Sequence, residues 1–255
     1  MSSDSPRPSG SLRLVALTGI PAVQTGDDLP ALIRSAAKAS GVSLADGILV
    51  VCQKVVSKAE GRSLELADVE PSDRARQIAA EDDRDPRHVE VVLRETVRLV
   101  RHGHGVMICE TKHGFVCANA GVDLSNAPGP ESAVLLPIDP DASAAGLQSA
   151  LRSDAGPLAV IVSDTFGRPW REGLVDVAIG CAGLTPVDDQ RGGRDWTGRE
   201  LQVTATATAD QLAAAAGLLM RKDAGIPAVW IEGITPWGDG RVRDSLRSID
   251  TDLFR

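Results

Sequence analysis

The sequence predicts an α/β fold of the mixed α+β kind, with two interleaved subdomains around mixed sheets. Two short apolar runs, GILVV at 47–51 and LAVIV at 158–162, are typical of buried strands. Apolar residues at helical spacing, as in 29–37 and 210–220, indicate helices before and after such strands. With 255 residues, 43% of them hydrophobic, the chain can bury a sizeable core and is longer than most single domains, which favours two lobes.

The predicted elements follow one another along the whole chain. A polar tail over 1–10 is expected to be disordered, and the folded domain spans 11–255. Alternating or fully apolar patterns predict strands at 12–17, 47–51, 106–110, 114–119, 133–136, 158–162, 200–208 and 228–232. Helices are predicted from 29 to 40, twice within 71–101, at 142–152 and at 210–220. The segment 53–62 is predicted to be a polar loop.

Start and stop signals support the helix boundaries. Asp27 and Asp28 precede the first helix, where negative charge is favourable, and Gly41 ends it. The dipeptide Asp85-Pro86 divides the charged stretch into two surface helices, and Asp139-Pro140 opens the next one.

Composition and charge argue against nucleic acid and membrane as partners. A formal net charge of −8 and 3% aromatic residues leave neither a basic stripe nor stacking platforms. No apolar run approaches the roughly 20 residues of a membrane span, and the polar N-terminus does not resemble a signal peptide. The four cysteines lie in apolar runs without a CxxC pair, which is typical of buried, reduced thiols. We therefore expect a cytoplasmic protein.

Familiar nucleotide and metal motifs are missing from the sequence. It has neither the GxxxxGK[ST] of a P-loop nor a strand–GxGxxG–helix unit, so neither a P-loop nor a Rossmann fold is predicted. His102 and His104 lack a third His or Cys at ligand spacing.

The segment ANAGVDLSN at 118–126 is one candidate site. Gly121 permits a tight bend after a strand and presents Asp123 and Asn126 from a loop. A carboxylate and an amide three residues apart suit a metal-bound phosphate. An Asx-type turn that only satisfies backbone N–H groups is the alternative, and composition does not decide between the two.

The segment SDTFGRPWREG at 163–173 is a second candidate, placed at the carboxyl end of an apolar strand, where α/β proteins bind ligands. Asp164 and Thr165 are adjacent oxygen donors of the kind that Mg²⁺ and Mn²⁺ prefer, and Arg168 can neutralise phosphate. A helix-capping Asp-Thr pair is the alternative. With Asp123, these two residues would suffice as protein ligands, because phosphate oxygens commonly complete the shell.

The segment from Gln53 to Arg62 is a third candidate, because it places Lys54 and Lys58 after a buried strand. A lysine there can reach a nucleotide phosphate. A solvated charged loop is the alternative, and nothing in the local sequence excludes it.

Five segments together resemble the F420-0:L-glutamate ligase family. In order they are GIP at 19–21, SKAEGR at 57–62, ANAGVDLSN at 118–126, SDTFGRPWREG at 163–173 and DLFR at 252–255. The resemblance runs from about residue 12 to the C-terminus, and the sequence is similar to the stand-alone form without a nitroreductase-like extension.

This resemblance implies a GTP-dependent ligase that forms an amide between L-glutamate and the phospholactate carboxylate of coenzyme F420-0. An acyl phosphate intermediate, two divalent cations (Mg²⁺ or Mn²⁺), stimulation by K⁺, further γ-linked glutamate and a homodimer are also implied. The alternatives are a ligase for another acyl acceptor and a non-catalytic GTP- or deazaflavin-binding module.

The resemblance also assigns roles to individual residues. It implies Asp123, Asp164 and Thr165 as metal ligands and Asp123, Asp164 and Arg168 as catalytic residues. The nucleotide contacts it implies are Ile20, Pro21, Ala22, Val23, Gln53, Lys58 and Asn126. The sequence departs from the family at Gln53, where relatives generally have Ser, and at Arg221, Lys222 and Asp223, where relatives usually have Gly and an acidic or amide residue.

Overall fold

The structure is a computed structural model that describes residues 10–124, 131–234 and 236–253. Apart from Gly10, the predicted disordered tail lies outside the described residues. The described helices are α1 Leu29–Ala39, α2 Gln53–Ala59, α3 Asp73–Asp82, α4 Pro86–Arg94, α5 Pro140–Leu151 and α6 Thr208–Gly217. The strands are β1 Arg13–Ala16, β2 Gly47–Cys52, β3 Ser63–Glu65, β4 Thr96–Gly103, β5 Val106–Thr111, β6 Val116–Ala118, β7 Ser132–Val134, β8 Leu158–Arg168, β9 Arg171–Ala182, β10 Asp188–Asp189, β11 Ala205–Thr206 and β12 Ala228–Glu232.

A five-stranded mixed sheet in the order β1-β12-β2-β8-β9 organises the larger core. Strands β2 and β8 pair in parallel, while the other neighbours in this sheet are antiparallel. The two apolar runs predicted as buried strands form β2 and the first half of β8, and Trp230 of β12 is fully buried beside them. The predicted α/β fold class is therefore confirmed, and neither a Rossmann nor a P-loop arrangement is present among the described elements.

A second, smaller core lies between the helix pair α3–α4 and the sheet β4-β5-β6. The short pair β3–β7 also contributes, through Ala133. In the sequence, the residues of this second core fall between two stretches that build the larger core. Apart from Phe115, which packs in the larger core, the chain leaves that core after α2 and returns to it before α5.

Side-chain caps explain why most of the helices begin where they do. Asp28, Ser72, Asp85 and Asp139 each precede a helix and accept a hydrogen bond from a backbone N–H of its first turn. The predicted division of the charged stretch at Asp85-Pro86 is confirmed. The longest of the described helices, α5, has 12 residues, and none of them is long and apolar enough to cross a membrane.

Three predictions about local structure are wrong. The segment predicted as a polar loop begins with α2, because Val55 and Val56 pack against the larger core while Lys54 and Lys58 are one helical turn apart. The helical pattern predicted up to residue 101 ends at Glu95, since the β-branched residues that follow pair with β5 as β4. Within 200–208 only Ala205–Thr206 forms a strand, and Glu200 makes an isolated bridge with Arg194.

Burial of His88 predicts a pH-dependent stability. The ring is buried in the second core, and its Nδ1 lies 3.2 Å from Nη2 of Arg84. Loss of hydration, together with the charge of Arg84, lowers the pKa of His88 from 6.5 to about 4. At a pH between about 4 and 6.5, His88 is protonated in the unfolded chain but neutral in the folded chain. The free energy of unfolding should therefore fall by roughly 2 kcal/mol from pH 7 to pH 5 through this residue.

Urea denaturation of His88→Gln at these two pH values measures the effect, because the substitution removes the titrating ring. Between pH 7 and pH 5 the variant should lose roughly 2 kcal/mol less unfolding free energy than the unmodified protein, and all other titrating groups are common to the two proteins. His104→Asn is the matched control, because His104 is exposed in a left-handed backbone conformation that Asn tolerates. Equal slopes for His88→Gln and the unmodified protein would contradict the prediction.

Candidate active site

The candidate site lies where β8 leaves the central sheet. Strand β2 ends at Cys52, opposite Ser163, and beyond this point β8 pairs only with β9. Asp164 and Thr165 are the first residues past that point. The sequence places them at the carboxyl end of β8, which is wrong, because β8 continues to Arg168. They stand instead beside the carboxyl end of the parallel neighbour β2.

A cavity of about 360 Å³ opens at this point. It brings together residues from the first turn, from β2 and α2, from β8 and β9, and from the segment after α6. They are Ile20, Pro21, Ala22, Val23, Cys52, Lys54, Val55, Lys58, Asp164, Thr165, Asp176, Met220, Arg221, Lys222, Gly225, Ile226 and Pro227. Of the predicted site residues, the first turn, Lys58, Asp164 and Thr165 therefore share one cavity.

Asp164 stands in an electrostatically unfavourable environment. Burial raises the pKa of its carboxyl to about 7, and the negative charges of Asp123 and Asp176 act in the same direction. A hydrogen bond from the backbone N–H of Thr165 and the charge of Lys54 lower the pKa but do not compensate. A bound cation would supply the missing positive charge.

Asp123 reaches this site from the second core. Its backbone exchanges two hydrogen bonds with Val134 of β7, of 3.0 and 2.9 Å. Before it, Gly121 has φ of +71°, and a side chain there would meet Leu136 at 2.7 Å, so the tight bend predicted at this glycine is present. The carboxylate of Asp123 forms an ion pair of 2.6 Å with Lys54 Nζ.

Two lysines of α2 supply positive charge to the cavity. The side chain of Lys54 is only 12% exposed and lies between the Asp123 carboxylate and the cavity. Loss of hydration and the nearby charge of Lys54 lower the pKa of Lys58. An anion in the cavity would relieve the repulsion between the two ammonium groups.

Thr165 and Asp176 face each other across the β8–β9 hairpin. The hydroxyl of Thr165 donates a hydrogen bond of 2.7 Å to Oδ1 of Asp176. Asp176 is a residue that the sequence analysis overlooks, because it lies on β9, a strand that the Gly- and Pro-containing segment after Thr165 does not predict.

The remaining predicted residues lie elsewhere. The side chain of Gln53 is fully buried, and its Oε1 accepts a hydrogen bond of 2.8 Å from Ser57. Arg168 donates to the carbonyl of Glu172 at 2.6 Å, at the far end of the hairpin, about 10 Å along the strand from Thr165. Asn126 lies outside the described residues. The roles of all three stay predictions.

The donor set fits a hard divalent cation. Asp123, Asp164 and Thr165 offer only oxygen atoms, and the uncompensated charge of Asp164 favours a cation. The described residues contain no group of three or more His, Cys, Asp or Glu side chains placed to hold a metal ion. The protein could thus supply two carboxylates and a hydroxyl, and phosphate oxygens would have to complete the coordination shell.

A cavity lined by both lysines and carboxylates belongs to a class of site that can handle a phosphate-bearing substrate together with a divalent cation. Comparison with known proteins gives the family. The model of the F420-0:gamma-glutamyl ligase family matches residues 19–233. The chain belongs to this family.

Relatives over the full length support the assignment. A protein of Methanothermobacter thermautotrophicus named coenzyme F420:L-glutamate ligase is 47% identical over 96% of this chain and 99% of its own length. Proteins of the same name from Methanopyrus kandleri and Archaeoglobus fulgidus are 46% and 41% identical, over 91% and 93% of this chain and 93% and 94% of their own lengths.

The ion pair between Lys54 and Asp123 predicts a stability change that divalent cations should offset. Lys54→Met removes the ammonium group and leaves two neighbouring carboxylates, Asp123 and Asp164, without it. We expect the variant to lose about 1–3 kcal/mol of unfolding free energy in the presence of EDTA. Excess Mn²⁺ should restore most of the loss. Urea titrations with and without Mn²⁺ measure both effects.

Lys38→Met is the matched control, since Lys38 is an exposed lysine in the last turn of α1. A loss of stability in Lys54→Met that Mn²⁺ leaves unchanged would mean that the lysine and the cation do not compensate the same carboxylates.

Proposed function

We propose that this protein is a GTP-dependent ligase that joins L-glutamate to the phospholactate carboxylate of coenzyme F420-0, and then adds further glutamate through γ-linkages. The observation that carries the proposal is the cavity at the end of β2, where Lys54 and Lys58 face Asp164 and Thr165 in a member of the F420-0:gamma-glutamyl ligase family. The names of relatives aligned along nearly the whole chain support the choice of substrate.

The proposed reaction has two steps. In the first, an oxygen of the phospholactate carboxylate attacks the γ-phosphorus of GTP, so that an acyl phosphate forms and GDP leaves. In the second, the neutral amine of glutamate attacks the acyl carbon, the amide forms, inorganic phosphate leaves and the amine loses a proton to solvent or buffer. Positioning and charge stabilisation supply most of the acceleration, and no covalent bond to the protein is needed.

The residues of the cavity have matching tasks in this proposal. Lys54 and Lys58 hold the phosphates and balance the charge that develops during transfer. Asp123, Asp164 and Thr165 hold two divalent ions, Mg²⁺ or Mn²⁺, which when bound neutralise the phosphate oxygens. Residues 20–23 of the first turn contact the nucleotide, with Gln53 and Asn126 as further contacts. Arg168 approaches the transferred phosphate. We also propose that K⁺ stimulates the reaction and that the protein forms a homodimer.

The decisive experiment incubates the protein with F420-0, GTP, L-glutamate and Mn²⁺ and measures the mass of the deazaflavin product. One added glutamyl unit supports the proposal, and further units support γ-linked extension. Asp164→Asn and Asp123→Asn should reduce turnover at least a hundredfold, because each removes a charge that holds the cations and keeps the shape of the side chain. Asp154→Asn, at an exposed position, is the control.

The other outcomes of this experiment identify the alternatives. Hydrolysis of GTP with another carboxylic acid but not with F420-0 would indicate a different acyl acceptor. Binding of GTP or F420-0 without any product would indicate a non-catalytic module. Near-normal turnover of Asp164→Asn at saturating Mn²⁺ and GTP would show that the metal assignment is wrong.

Nucleotide binding provides an independent prediction. Lys58 lines the cavity in the same helix as Lys54, so Lys58→Ala should weaken GTP binding and raise the KM for GTP much more than the KM for glutamate. Loss of one charge-assisted phosphate contact corresponds to roughly a ten- to hundredfold change in affinity. Calorimetric titration with GTP and Mn²⁺ measures it. Lys38→Ala should bind GTP normally, and an unchanged dissociation constant for Lys58→Ala would place Lys58 outside the nucleotide site.

A further inference from the structure

We propose that Asp176 is a positioning residue that fixes the hydroxyl of Thr165 as an acceptor towards the metal-binding side of the cavity. This inference rests on the proposed function, because it assigns a task to Asp176 at the same cation site.

The geometry of the hairpin supports this assignment. Thr165 and Asp176 are directly paired residues of β8 and β9, and the pairs Asp164–Val177 and Phe166–Val175 fix the register on both sides. The 2.7 Å hydrogen bond between the two side chains therefore does not depend on a mobile loop.

The chemistry of the two groups fixes the direction of the bond. An ionised carboxylate only accepts hydrogen bonds, whereas a hydroxyl has one hydrogen and two lone pairs. With its hydrogen directed to Asp176, the oxygen of Thr165 can offer only lone pairs to its other neighbours. A cation requires this orientation, and without Asp176 the hydroxyl could rotate and direct its hydrogen into the cavity.

The position of Asp176 is itself restricted by packing. Gly217, the last residue of α6, lies so close that a side chain there would collide with the Asp176 carboxylate. Burial raises the pKa of Asp176, whereas the hydrogen bond from Thr165 and the charge of Lys222, which also lines the cavity, act in the opposite direction.

The structure favours positioning over direct metal binding by Asp176. Its Oδ1 already accepts from Thr165. Within residues 10–124, 131–234 and 236–253, no three acidic side chains converge to hold an ion, so Asp176 does not share one coordination shell with Asp123 and Asp164 in this arrangement.

Binding of Mn²⁺ alone, followed by the electron paramagnetic resonance signal of the free ion, tests the proposal without any need for turnover. Thr165→Val removes the hydroxyl at nearly constant shape and should weaken Mn²⁺ binding roughly tenfold. Asp176→Ala should weaken it by a similar factor. In the Thr165→Val background, Asp176→Ala should weaken Mn²⁺ binding much less than it does in the unmodified protein, because only the effect of its charge on the site remains. Asp176→Asn, which can still accept from Thr165, should lie between Asp176→Ala and the unmodified protein.

Two controls accompany these variants. Glu172→Ala, at an exposed position of the same strand, should leave the dissociation constant of Mn²⁺ unchanged. Thr165→Ser keeps a hydroxyl that Asp176 can orient and should retain most of the affinity. Circular dichroism establishes that each variant is folded. If Asp176→Ala does not fold, Asp176→Asn gives the same comparison, once by itself and once combined with Thr165→Val.

Three results would overturn the inference, and one of them would overturn the proposed metal site as well. Equal weakening by Asp176→Ala with and without the Thr165 hydroxyl would mean that Asp176 acts on the cation by its charge or by direct contact, and not through the hydroxyl. Unchanged Mn²⁺ binding in both Asp176 variants, with loss of binding in Asp164→Asn, would overturn the positioning role alone. Unchanged Mn²⁺ binding in Asp164→Asn would overturn the metal site of the proposed function as well.

Discussion

The parallel pairing of β2 with β8 is the constraint on which the site depends. The two strands stay in register from Gly47–Leu158 to Cys52–Ser163, and their apolar side chains are buried on both faces. Because β2 then turns into α2 while β8 continues, the lysines of one and the oxygen donors of the other come to lie at the same edge of the sheet. A shift of one residue in this pairing would move the side chain of Asp164 to the face that Thr165 now occupies, and that of Thr165 to the face of Asp164.

The free energy of the site comes from this scaffold rather than from the site itself. The charges of Asp123 and Asp176 act unfavourably on Asp164, and the charge of Lys54 acts unfavourably on Lys58. Such an arrangement is held together by the apolar core beneath it, and a cation bound together with an anion would balance its charges. The charges that are unfavourable by themselves are thus the charges that would select a metal–phosphate ligand.

The sequence predicts those features that depend on neighbouring residues in the chain, and it does not predict those that depend on contacts between distant segments. The strands β2 and β12 and the helices α1 and α5 follow from apolar periodicity and capping residues. Asp164 and Thr165 line the cavity, but through the end of β2 and not through the end of their own strand, as the apolar run predicted. The strand β9 could not be predicted, because its first half is polar and its stability comes from pairing with β8. For the same reason, Asp176 could not be identified from the sequence as a site residue. Lys54 was visible as a charge, but its pairing with Asp123 requires contact between distant segments.

The interleaving of the two cores has a consequence for unfolding. Asp123 stands on the chain segment that builds the second core, whereas Lys54, Asp164 and Thr165 belong to elements of the first. Any ligand that engages Asp123 and Asp164 together ties the second core to the first, and its binding energy is lost as soon as either core opens. Ligand binding would therefore make the two halves of the molecule open and close as one cooperative unit, whereas the ligand-free chain relies on the Lys54–Asp123 pair and the packing of β7 near Asp123 for that coupling.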